Sequence, residues 1–137
     1  MAGRISIRQG QSGEIARLRW THRAGSDTWV ISTPVGTEVA RIDSNAQGAR
    51  LTRADVIPME AESFASLTEN LLGARLEPRD MARWLHGEPV SRDAAGWQVT
   101  IDESQPAGRV QLARRITATR GDVVVKLVVD DYRVLEP

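Results

Sequence analysis

Short segments in which apolar and polar residues alternate, each closed by a tight turn, leave this chain few options. Ile5 and Ile7 alternate with Arg4, Ser6 and Arg8, and Ala16, Leu18 and Trp20 alternate with Arg17 and Arg19. A period of two buries one face of a strand and wets the other, so both stretches predict half-buried β-strands. Turn residues separate them, Gln9-Gly10-Gln11-Ser12-Gly13 and then Arg23-Ala24-Gly25-Ser26-Asp27. A third strand carries Trp29 and Ile31 to Thr33, a fourth runs from Thr37 to about Asp43, and short strands follow around Leu51 and around Val56-Ile57. Strands resume with Trp97, Val99 and Ile101, and a loop from Glu103 to Gly108 leads to Val110, Leu112 and Ile116. A hairpin at Arg120-Gly121 brings in Val123, Val125, Leu127 and Val129, and a terminal piece holds Tyr132, Val134 and Leu135. Such a series is an antiparallel meander and not a set of βαβ units.

The period changes once. Between Glu60 and Leu72 the apolar residues Phe64, Leu67, Leu71 and Leu72 fall at helical spacing, with Glu60 and Glu62 expected in the first turn and Gly73 ending it. A second helix is marked by Pro78 and Asp80 at its start, Met81, Trp84 and Leu85 on one face, and Gly87 and Pro89 beyond. Helices this short are not stable alone, so both must lie against the sheet. The fold expected is mainly β (α+β), one curved antiparallel sheet interrupted by a helical pair. At 137 residues, 1–137 is expected to be a single domain. Its interior is lined mainly by aliphatic residues and tryptophan, which fits either a dry core or a cavity for a flexible apolar guest.

Ser32-Thr33-Pro34-Val35-Gly36-Thr37 stands out between the third and fourth strands. Pro34 suits the second position of a β-turn and Gly36 the fourth, which leaves the aliphatic Val35 third, at the tip. An isolated surface valine needs no function, so the turn by itself leaves the question open.

Chemistry is hard to find. Eighteen Lys and Arg balance eighteen Asp and Glu, so no nucleic-acid footprint is indicated. The absence of cysteine excludes disulfides, thiolate metal sites and a cysteine nucleophile within this chain. His22 and His86 stand alone in the sequence, and no metal motif, phosphate cradle or nucleophile elbow occurs. Asp102-Glu103 and Asp130-Asp131 are adjacent strand residues that point to opposite faces, and so make no carboxylate dyad. An enzyme is not expected, nor any cofactor or metal.

In order and spacing the chain resembles the LolB family of outer-membrane lipoprotein receptors. The resemblance rests on Gly3-Arg4, Trp20, the Ser32-Thr33-Pro34-Val35-Gly36 loop, the Leu72-Gly73 to Leu76 link, Trp84-Leu85-x-Gly87-x-Pro89, and Val125-Lys126-Leu127-x-x-Asp130. It implies a half-closed antiparallel β-barrel with a short helical lid over an apolar cavity. It further implies a monomeric, non-enzymatic receptor that accepts triacylated lipoproteins from the periplasmic carrier LolA and inserts them into the inner leaflet of the outer membrane. Under this resemblance Leu18, Trp20, Trp29, Ile31, Phe64, Leu67, Leu71, Met81, Trp84, Leu85, Trp97 and Val99 would line the acyl-chain cavity. Pro34, Val35 and Gly36 would form the membrane-insertion loop, with Val35 where the family carries an exposed leucine. The family's signal peptide and acylated cysteine have no counterpart in this chain, and Tyr132 stands where tryptophan is common. A soluble LolA-like lipid carrier and a filled-core interaction domain are the alternatives.

Overall fold

Among the described residues the alternating segments assemble into nine antiparallel strands of one sheet. A computed structural model describes residues 1–54, 56–86, 96–107 and 110–132. In chain order these give β1 (Ala2–Gln9), β2 (Ser12–Arg23), β3 (Ser26–Ser32), β4 (Glu38–Asn45), β5 (Gly48–Arg53) and β6 (Met59–Ala61). Then come α1 (Phe64–Leu72), α2 (Pro78–Leu85), β7 (Gln98–Ala107), β8 (Val110–Arg120) and β9 (Val123–Asp131). The spatial order is β6-β5-β4-β3-β2-β1-β9-β8-β7, so the chain leaves one edge, passes through both helices and returns on the other. The outer strands β6 and β7 do not pair, and the sheet is an open one, mainly β, not a closed barrel.

Register explains why one face is dry. Trp20 sits opposite Trp29, Trp29 opposite Ile42, and Ile42 opposite Leu51. Across the other half Ile5 meets Leu127, which meets Ile116, which meets Ile101. Each row lies on one side of the pleat, so the alternation seen in each strand becomes a continuous apolar surface. Both helices cover it, α1 on β4, β5 and β6 and α2 on β8. Phe64 meets Trp29 edge to face at 5.0 Å, and Trp84 meets Trp97 at 6.2 Å.

Several local expectations shift. Helix α1 starts later than its periodicity suggests. Ser63 is its N-cap, accepting a hydrogen bond from the Ser66 N–H, which leaves Glu60 in β6 and no acid in the first turn. Val56 and Ile57 are not in a strand, because the Val56 N–H turns back to the Arg53 carbonyl and Pro58 follows. The stretch expected as a loop from Glu103 is instead the second half of β7, through Pro106. An edge strand tolerates proline because one side of its backbone has no partner. Gly87, Pro89, Gly108, Val134 and Leu135 lie outside the described residues, as does the side chain of Val110.

Two positions show why particular residues are needed. A Cβ on Gly3 would land on the Val128 carbonyl oxygen, next to the point where the register of β1 and β9 shifts. Thr68, fully buried in α1, donates to the Ala65 carbonyl and accepts from the Leu76 N–H at 2.9 Å, tying the 73–76 strap to the helix.

Candidate functional site

The third β-turn position expected for Val35 is the one it occupies. The Gly36 N–H donates to the Thr33 carbonyl at 2.8 Å, closing the turn around Pro34 and Val35. Gly36 has φ 98°, a conformation other residues rarely adopt, so it is the residue that lets the chain double back here. The Thr33 N–H then bonds the Thr37 carbonyl, and the Thr37 N–H bonds Thr33 Oγ1. These bonds hold the loop in shape while the Val35 side chain remains 88% exposed.

Beside this loop the sheet opens. β3 pairs with β2 only as far as Arg17 opposite Ser32, and a register shift follows Ile31, so among the described residues β2 from Glu14 to Ala16 has no strand partner on that side. Side chains also shrink along the dry face. The row Trp20, Trp29, Ile42, Leu51 gives way to Leu18, Ile31, Ala40, and then to Ala16. Small side chains on diverging backbone leave a cleft of about 550 Å³, floored by Ile5, Ile7 and Ile31 and walled by Ile15, Val39 and the α1 residues Leu71 and Leu72. Pro34 stands at its rim, and Glu14, Ser32, Thr33 and Arg53 are its polar members.

The residues expected to line a cavity divide into groups. Ile31 and Leu71 line this cleft. Leu18, Trp29, Phe64, Leu67, Met81, Trp84 and Trp97 are buried in the packed core, and Val99 is half-buried against it. Trp20 and Leu85 are buried too, and their edges reach a second, half-polar hollow of about 430 Å³ together with Arg19, His22, His86 and Tyr132. The two histidines, far apart in sequence, therefore share one hollow. His22 Nδ1 lies 2.6 Å from Asp27 Oδ1, which also accepts the Trp20 indole N–H at 2.8 Å. Among the described residues no group of three or more His, Asp or Glu could hold a metal.

The alternation pattern did not single out Ile5, Ile7, Ile15, Val39 or Leu72 as lining residues, because which side chains border the cleft depends on where β3 stops pairing. The sequence of this chain matches the LolB family, described as "Outer membrane lipoprotein LolB", over residues 1–132. The chain belongs to the LolB family. Relatives of that family named "Outer-membrane lipoprotein LolB" include one from Azoarcus sp. (strain BH72), 26% identical, covering 99% of this chain and 78% of the relative. One from Dechloromonas aromatica (strain RCB) is 30% identical over 97% of this chain and 80% of its own length. A third, from Nitrosomonas europaea, is 27% identical over 97% and 71% respectively. No described helix is long and apolar enough to cross a membrane.

Proposed function

We propose that this chain is an outer-membrane lipoprotein receptor, which takes the acyl chains of a lipoprotein from a LolA-type periplasmic carrier and passes them to the inner leaflet of the outer membrane. The observation that carries the reading is an aliphatic cleft that opens beside a hydrogen-bonded turn with an exposed valine at its tip, in a chain of the LolB family. Acyl burial is worth ~0.8 kcal/mol per methylene, so three long chains represent tens of kcal/mol and cannot cross water at a useful rate. Transfer has to run from one apolar surface directly to another, and Val35 is the group that brings the cleft against the bilayer. No covalent step is involved.

A cleft of about 550 Å³ lies within the range of small-molecule pockets, ~300–1,000 Å³, and is too small for three long chains at once. Widening it means moving α1, whose Leu71 and Leu72 form one wall. A nine-residue helix is marginal without its packing, so the Leu71-Leu72 end of α1 acts as the lid, while its Phe64 end stays on Trp29 and α2 is anchored by Trp84. The filled-core reading accounts for Trp29, Met81 and Trp97, but not for the cleft. Co-expression with a lipoprotein followed by native mass spectrometry tests the proposal. A bound acylated protein is expected, and a Val35→Glu variant should retain that cargo when mixed with vesicles. Release by the variant at the rate of the unsubstituted protein would refute the role of Val35.

A further inference from the structure

Among the described residues the large apolar side chains left exposed are Ile15, Val35, Val39, Val56, Ile57 and Met59. They gather at one end of the sheet. The β4–β5 pairing closes there with Ala40 opposite Arg53, so the 33–37 loop enters β4 beside the end of β5, and residues 56–58 lie just past that end. Adjacent strands are ~5 Å apart, so these two loops are neighbours. Ile57 is 89% exposed, as bare as Val35, and the bond from the Val56 N–H to the Arg53 carbonyl holds the start of the segment against the end of β5.

The charged groups behind these loops suit a lipid surface. Arg17 Nη1 lies 3.9 Å from where a Cβ on Gly36 would be, and Arg53 lines the cleft. Neither has an ion-pair partner among the described residues, unlike Arg50, which Glu60 neutralises at 2.7 Å. Glu14 and Glu38 stand at the same end, so the rim is mixed in sign and its two unpaired guanidiniums are placed to take individual phosphates. Guanidiniums near exposed aliphatic tips are the pairing of groups that a bilayer's phosphates and acyl layer would take up together.

We propose that Val56 and Ile57 form a second membrane-inserting prong, which acts with Val35 so that the protein sits on the phospholipid bilayer by two tips, with Arg17 and Arg53 on lipid phosphates. This rests on the receptor reading above and adds to it a defined orientation. Because both tips enter the bilayer together, their contributions to partitioning multiply.

The chain has no cysteine, so a single one can be introduced and labelled. Ile57→Cys carrying an environment-sensitive fluorophore is expected to shift to the blue on vesicles of phosphatidylethanolamine and phosphatidylglycerol. Gln47→Cys, in the turn at the opposite end of the sheet, is expected not to shift. In vesicle co-sedimentation Ile57→Ser should lower partitioning about tenfold, Val35→Ser several-fold, and the double variant by roughly the product, with most binding retained in high salt. Both side chains are exposed, so neither substitution threatens folding. Unchanged partitioning of Ile57→Ser beside a loss for Val35→Ser overturns the second prong and leaves the receptor reading intact. Failure of the unsubstituted protein to bind vesicles overturns both.

Discussion

Two regions of one apolar face behave differently because their side chains differ in size. Around Trp29, rings from Trp20 and Phe64 meet edge to face at 6.5 and 5.0 Å, and all three residues are buried. Around Ile31 the same strands carry alanine at positions 16 and 40, and a cleft opens. Large rings with few rotamers fill space once and stay. Short aliphatic chains beside alanines leave room that an apolar guest can take. Under the proposed function the first region holds the sheet while the second takes up and gives back acyl chains.

If the contrast is real, substitutions in the two regions should have different costs. Trp29→Ala removes the centre of the ring cluster and should destabilise the fold by ~3–5 kcal/mol in denaturant unfolding. Trp29→Phe should cost far less, since the Trp29 indole N–H is buried without a partner among the described residues and its loss strands nothing. Next in size is Ala118→Leu, in the packed face between Val99 and Val125, at ~1–3 kcal/mol from overpacking. Thr68→Val keeps the shape of the side chain but leaves the buried Leu76 N–H unpaired, for a loss of ~1–3 kcal/mol. The smallest change in stability, within ~0.5 kcal/mol, is expected for Ala16→Leu, because the added carbons enter the cleft. That variant should instead bind acyl chains more weakly. Equal costs for Ala16→Leu and Ala118→Leu would mean that the cleft is closed in solution.

The strands were legible because alternation survives wherever one face is buried, as in Ile5, Ile7 and Leu18. The Pro34 to Gly36 turn was legible because each residue there has its own backbone restriction. The cleft was not. It arises where β3 stops pairing at Ser32 and where Ala16 and Ala40 fall beside Ile31, and both depend on register between strands that no single segment encodes. Tryptophans expected at the cavity wall lie in the packed core for the same reason, since apolar periodicity marks the buried face without saying which part of it is full. Val56-Ile57 read as a strand because it is β-branched and apolar, whereas Pro58 and the return bond to Arg53 keep it out of the sheet.

Ile15 and Val39 allow the cleft to be tested without disturbing the core, because both line it and both are substantially exposed. Titration of a triacylated lipopeptide into the unsubstituted protein and into Ile15→Asp/Val39→Asp is the measurement to make. One lipopeptide per chain is expected for the unsubstituted protein, with affinity at least tenfold lower for the double variant and an unchanged unfolding transition. Equal affinity in both proteins, or no saturable binding in either, would show that acyl chains do not lodge between β2 and the Val35 loop.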